Sequence, residues 1–323
     1  MGLEFAPLDG ITRSVYRQVW QRRFGGADRI FLPFFSPTDQ HRIPPRELRE
    51  LDRANNPPDT PETGLVPQVM TRRWEDLVWA SEAAADLGYG ELNWNLGCPS
   101  GTVTGKGKGA GLLADPAALD RLLDGAFGRL RLPLSVKTRL GLKDPAEFPA
   151  LLQVFNRYPL ASVILHVRTA KEKYRGAVHW DAFADALRDS RNPLCYNGDL
   201  RTVGEVQAFR DRFPTVEAVM IGRGAVADPA LFRKLKGGPP ASREELRDFT
   251  AELYRAYQTY YGQAGPAAQR MREVWFYLIH LFGDRRRLNK QMRRFRGPGE
   301  YEAAEAAIFA ELPLLEDCDG DLV

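Results

Sequence analysis

Apolar positions along the chain fall into short runs separated by segments of helical period. Runs such as "SVILHV" and "EAVMIG" are apolar at successive positions, which suits strands buried on both faces of a parallel sheet. Strands are expected to end near Ala6, Phe35, Gln68, Asn95, Lys137, Val167, Asn197 and Gly222. Between them the 3.6-residue period predicts helices over 13–22, 74–87, 116–127, 146–157, 180–188 and 202–213. Eight strands alternating with helices predict an α/β fold of the (β/α)8 TIM-barrel kind, rather than an open doubly wound sheet. The stretch "RANNPPDTPETG" at 53–64 has the composition of a surface loop.

The pattern changes after about Pro240. Ser242 and Glu245 stand at capping-box spacing, and helical periodicity then runs on with no strand signal. The expected organisation is a barrel over 1–238, a small all-helical domain over 239–315 and an acidic tail over 316–323.

Composition narrows the functional classes. The net charge of +3 is mild, so a polyanion would have to be met by a local patch. Cys98, Cys195 and Cys318 are scattered and odd in number, against a disulfide framework and for a reducing compartment. No apolar run approaches the ~20 residues of a membrane span, and the N-terminal residues lack a signal-peptide pattern. A cytoplasmic protein without a membrane partner is expected. No second cysteine or histidine lies at ligand spacing from Cys98, so no metal is expected either.

Barrel enzymes carry their chemistry at the C-terminal ends of the strands. Here those ends read "APLDG", "PQ", "NLGCP", "VKTR", "HVRT", "NGD" and "GRG". Lys137, His166, Arg168, Asn197 and Arg223 would converge on one rim, which suits an anionic, hydrogen-bonding ligand. Asn197-Gly198-Asp199 and Gly222-Arg223-Gly224 follow the last two strands, where barrel loops commonly bind phosphate through backbone N–H groups. Taken singly, each could be an ordinary glycine turn. Lys137 interrupts an apolar strand, so its ammonium either meets an anion or snorkels to the rim. His166 and Gln68 read equally well as a barrel-end histidine and a turn residue.

Cys98 lies beyond its strand, in a turn, whereas Cys195 sits within one as a structural cysteine would. A thiol is mostly protonated at neutral pH, so Cys98 can act as an acid. The glycines that follow do not form a known phosphate loop. "GTVTGKG" is one residue short of a Walker motif, and "GKGKGA" does not directly follow a strand. They predict a mobile loop made cationic by Lys106 and Lys108.

In order and spacing, "APLDG", "NLGCPSGTV…GKGAGLL", "VKTRLG", "HVRT", "YNGD" and "MIGRGA" resemble the tRNA-dihydrouridine synthases, over about residues 3–235. The resemblance implies an FMN enzyme that uses NADPH to reduce the C5–C6 bond of uridines in tRNA. It implies FMN held at Pro7, Leu8, Asp9, Gln68, Lys137, His166, Asn197, Gly198, Asp199, Gly222 and Arg223. Cys98 would protonate C5, and Asn95, Arg139 and Arg168 match positions that contact the target base or its neighbouring phosphate. A monomer is expected. Leu8 stands where the family usually has Met, Val167 where it has a small residue, and Gly101-Thr102 where it has a lysine. Lys106 or Lys108 would then have to supply that cation. "PTDQHRIPPREL" resembles the bacterial type acting at position 16. Two other classes remain open, a small-molecule FMN oxidoreductase resembling dihydroorotate dehydrogenases and a tRNA-binding homologue without turnover.

A last signal lies in "GDRRRLNKQMRRFRG" at 283–297, which packs seven cations against one aspartate. On a helix Leu288, Met292 and Phe295 form an apolar stripe, and Arg286, Lys290 and Arg293 face the other way. That face is either a solvated basic surface or an RNA contact, and its charge density favours RNA.

Overall fold

The computed structural model of the protein describes residues 1–56, 63–320 and 322. Nine strands form one all-parallel sheet: β1 (Gly2–Phe5), β2 (Arg29–Phe31), β3 (Gly64–Val66), β4 (Gln68–Val69), β5 (Leu92–Leu96), β6 (Leu134–Arg139), β7 (Val163–His166), β8 (Leu194–Asn197) and β9 (Ala218–Ile221). Their order is β3-β2-β1-β9-β8-β7-β6-β5-β4. The two ends of that order, β3 and β4, are joined by Pro67 alone, so the sheet closes on itself as an eight-stranded barrel. Proline has no N–H to give a ladder, and this splits one strand into two. The Pro67 carbonyl still accepts from the Asn93 N–H at 2.9 Å. Pro33 interrupts the second strand in the same way. The regular part stops at Phe31, and Phe35 rejoins the sheet by a bridge to Val69.

The expected helices form, within a residue or two at most ends. Asp115 and Thr202 cap two of them by accepting from backbone N–H groups. Helix Pro45–Leu51 is not among the predicted helices; Pro45 occupies its first turn, where a missing N–H costs nothing. The loop expected at 53–64 opens with a 3-10 turn over Arg53–Asn55, and 57–62 lie outside the described residues. The barrel interior is filled by Ala6, Phe31, Val66, Ile164, Cys195 and Met220. Cys195 is therefore a core residue, 1% exposed.

Four helices follow, Arg243–Tyr261, Ala264–Leu278, Arg286–Arg294 and Pro298–Glu311. The first begins with the expected capping box, Ser242 and Glu245 each accepting from the other's backbone. It packs on helix Ser14–Arg23 through edge contacts of Phe249 with Tyr16 and Phe24. Two expectations are corrected here. The stretch expected as a tail is held down over 316–320 and at Leu322, because Cys318 and Leu322 are buried and Asp317 pairs with Lys234. Its positions 321 and 323 lie outside the described residues. The glycine-rich stretch after Cys98 is folded too, into helix Gly101–Thr104 and a 3-10 turn at Gly109–Ala114. Its glycines serve close packing. A Cβ on Gly109, which has φ +56°, would lie 2.9 Å from Val103 Cγ1 and 3.0 Å from the Cys98 carbonyl. Among the described residues no helix is long and apolar enough to cross a membrane.

Candidate active site

The strand ends and the loops after them enclose a cavity of about 480 Å³ at the C-terminal mouth of the barrel. Pro7, Leu8, Asp9, Gln68, Asn95, Cys98, Lys137, Arg139, His166, Asn197, Gly198, Asp199, Gly222 and Arg223 all line it. Arg168, Lys106, Lys108, Arg286, Lys290 and Arg293 do not.

Beneath the cavity a chain of polar side chains crosses the barrel. Asn95 donates to the Gln68 carbonyl at 2.7 Å, Gln68 to Asn93 at 2.8 Å, and Asn93 to Ser135 at 2.8 Å. Ser135 in turn donates to Glu91. Each buried amide is thereby satisfied and its orientation set. The Asn95 carbonyl oxygen accepts from the N–H groups of Gly97 and Cys98, at 3.1 and 3.0 Å. Asn95 thus shapes the turn that carries the thiol.

Lys137 donates to the Asn197 carbonyl oxygen at 2.9 Å, and Asn197 is itself fixed by donating to the Met220 carbonyl at 2.7 Å. Burial, and then the charge of Arg139, pull the Lys137 ammonium down to about 8. An ammonium with a neutral amide oxygen as its hydrogen-bond partner is poised to accept an anion. His166 is drawn well below the usual histidine value, first by burial and then by Arg139, Lys137, Arg168 and Arg223, so it is neutral at pH 7. Burial pushes the Asp199 carboxyl up, but hydrogen bonding and charge from Arg168, with the charge of Arg223, outweigh this and hold it below its usual value.

At the far end stand Gly198 and Gly222. A Cβ on Gly198 would come within 2.9 Å of Val167 Cγ2, and one on Gly222 within 3.1 Å of Leu8 Cδ1. Val167, the departure noted in "HVRT", is thus packed directly against the first of these glycines. Arg223 donates to Asp199 at 2.7 Å and begins a short helix in which the Gly222 carbonyl accepts from the N–H groups of Ala225 and Val226, at 3.0 and 3.3 Å.

Two arginines are tied into the surrounding loops. Arg168 is 2% exposed and turned into the protein, donating to the Gly176 carbonyl and to Asp199. It positions a loop and a carboxylate and does not face the cavity. Arg139 lines the cavity but is also a tie, donating to the carbonyls of Gly97, Thr169 and Lys173. Lys106 and Lys108 flank Gly107 on the outer side of the Cys98 loop, against an open groove with Arg72 and Trp74. Arg286, Lys290 and Arg293 are exposed on their helix, and Arg293 lies 4.9 Å over the Phe276 ring, which lines the cavity.

The model of the family described as dihydrouridine synthase (Dus) matches residues 4–310. The chain belongs to this family. Among its relatives are a "Probable tRNA-dihydrouridine synthase" of Rhizobium leguminosarum bv. phaseoli, 28% identical over 84% of each chain, and the "tRNA-dihydrouridine(16) synthase" of Ralstonia nicotianae, 32% identical over 73% of this chain and 72% of the other. Solved structures resemble the fold alone. Histamine dehydrogenase from Rhizobium sp. 4-9 has a TM-score of 0.55 at 12% identity, covering 77% of this chain and 46% of that one. Morphinone reductase has a TM-score of 0.51 at 13% identity, covering 75% and 87%.

Among the cavity residues that sequence reasoning passed over in this family member are Tyr174, Phe276, Tyr277 and Leu322. Tyr174, 45% exposed, lies over the guanidinium groups of Arg139 and Arg223 and 5.8 Å from the His166 ring. An aromatic among the charges of "KEKYRG" was its available signal. Phe276, Tyr277 and Leu322 also line the cavity. Nothing in "VWFYL" separates two cavity-facing rings from their core neighbours Val274, Trp275 and Leu278.

Proposed function

We propose that this dihydrouridine synthase reduces the C5–C6 double bond of a uridine in tRNA, with FMN held in the cavity and NADPH as reductant. The names of its relatives support the substrate. The observation that carries the reading is that one cavity brings together the Lys137 cation, a glycine-lined anion end at 197–199 and 222–224, and the Cys98 thiol.

The residues fit FMN. The volume lies in the range of about 300–1,000 Å³ usual for such ligands. Lys137 would meet an anionic ring atom, with Asn197 aiming its ammonium. Neutral His166 offers a ring N–H, and Gly198 and Gly222 leave room for close approach. Arg223 and the first amides of its helix would take the phosphate. Pro7, Leu8, Asp9 and Gln68 would complete the cofactor wall. The chemistry FMN supplies when bound is hydride donation to uracil C6, with NADPH as the source of the electrons.

Everything else falls to the chain. Cys98 gives its proton to C5 as C6 gains hydride, so the ring gains two hydrogens and the thiolate recovers its proton from solvent. Asn95 holds the Cys98 turn through two N–H groups, and Arg139 ties that turn to the loop carrying Tyr174. The exposed Tyr174 ring offers a stacking face to an extruded base. A uridine in a tRNA loop leaves its stack cheaply. Residues 239–315 would serve as the tRNA-binding domain, and the protein would act as a monomer. A cytoplasmic location follows from that substrate.

The test is to purify the protein, identify any bound flavin, and map dihydrouridine in tRNA from cells with and without it. A yellow protein carrying FMN and the loss of dihydrouridine at one position, with position 16 checked first, are expected. An unchanged map would overturn the reading.

A further inference from the structure

The acidic end of the chain is fastened at three places. Lys234, itself buried, donates to Asp228 at 2.9 Å and to the Glu316 carbonyl and Asp317. Arg201 donates to the Gly320 carbonyl at 3.0 Å, and Cys318 packs beside it with its thiol 3.5 Å from the Arg201 carbonyl. Asp319 exchanges hydrogen bonds with His280, at 3.0 and 2.8 Å, and pairs with Arg285. The first two anchors belong to the barrel and the third to the helices beyond it.

The segment then ends at the cavity. Leu322 is 3% exposed and lines the end where 197–201 and 222–224 gather. Its carbonyl accepts from Arg223 Nη1 at 3.0 Å, while Arg223 Nη2 donates to Asp199. Two of the five guanidinium donors are thus committed, and three remain for a ligand. The arginine is held in place without being consumed.

We propose that residues 316–320, with Leu322, form a latch over the phosphate end of the cofactor cavity, past which FMN must enter and leave. This rests on the FMN reading above. Ordering such a segment costs backbone entropy at every residue. Burial of Cys318 and Leu322 and the bonds to five basic side chains offset that cost here. A segment held by a few polar anchors opens locally far more readily than a core strand. Its opening therefore sets the rate of cofactor exchange, and its closed form presents Arg223 already oriented.

The experiment compares the parent, a chain ending at Leu315, and the point variant Leu322→Asp, which sets a carboxylate against the phosphate without removing the anchors. Each is loaded with FMN, and uptake and release are followed by flavin fluorescence, with circular dichroism confirming the fold. Release about tenfold faster or more is expected from both variants, the scale of losing one charge-assisted hydrogen bond. Uptake should also be faster in the truncated chain, since a latch slows both directions. Parental release from both variants overturns the latch alone, as does faster release with unchanged uptake, which would make the segment a passive wall. If the truncated chain does not fold, Arg285→Ala, which frees the Asp319 anchor outside the cavity, takes its place, with uptake and release read in the same way. A folded parent that takes up no FMN overturns the cofactor reading and the latch together.

Discussion

Cys98 and Cys195 carry the same group in opposite situations. Cys195 points into the barrel, with its thiol 3.3 Å from Glu4, and burial followed by the Glu4 charge raises its pKa well above the ordinary value. Cys98 is half-buried at the cavity wall, on a turn fixed by Asn95. On the proposed mechanism, Cys98→Ala keeps FMN and still oxidises NADPH, but reduces tRNA ~10²-fold more slowly or worse, the scale of losing a general acid. Cys195→Ala costs at most some packing and leaves turnover intact. Single-turnover reduction of tRNA by each variant checks both, and a Cys98→Ala enzyme running at the parental rate would show that the proton comes from elsewhere. The difference between these thiols was legible in the sequence, because a residue inside an apolar strand and one in a glycine-proline turn have different neighbours by construction. Arg168 was less legible. Sequence placed it correctly at the end of β7, but whether an arginine at a strand end faces the cavity or turns beneath a loop depends on Gly176 and Asp199, which lie elsewhere in the chain.

Among the elements, the strands were the easiest to read, since burial on both faces leaves an uninterrupted apolar run. Prolines set the boundaries that were not predicted: Pro67 divides one strand, Pro33 shortens another, and Pro45 opens a helix absent from the predicted set. The loop after Cys98 shows a different limit. Five glycines in eleven residues look like mobility in composition, yet several are there because another atom occupies the place of a Cβ. Gly109→Ala tests this. The new methyl would lie 3.1 Å from Cys98 Cβ, on a backbone at φ +56° that alanine adopts with strain. The turn must shift, and it carries Cys98 with it. We expect a loss of about 1–3 kcal/mol in stability, as for other overpacked sites. A fall in kcat with unchanged FMN content should accompany it. Denaturant unfolding and flavin absorbance measure the two effects; a variant with parental stability and turnover would restore the view of this stretch as a slack connector.

For the molecule as a whole, the cavity lies between the barrel and the helices that follow, since Phe276 and Tyr277 line it together with Pro7 and Leu8. On the proposed function, a polynucleotide delivering a base to that cavity would meet the helical part. Helix Arg286–Arg294 stands there, its Leu288 and Met292 buried as the periodicity required. Two of the cations at its start are already neutralised, Arg285 by Asp319 and Arg287 by Glu311. Arg286, Lys290 and Arg293 are exposed and have no carboxylate partner among the described residues. Arg293 also covers Phe276, which joins this face to the cavity. In a chain with a net charge of only +3, this is where phosphates would be met. Such contacts are made to the backbone, so they strengthen binding of every tRNA and weaken with salt. Replacing Arg286, Lys290 and Arg293 together by Ala should lower tRNA affinity at low salt and leave FMN content unchanged. The slope of log K against log salt should become shallower by roughly two to three, one step for each phosphate no longer neutralised. Affinity and slope that both match the parent across the salt series would place the tRNA on another face of the molecule.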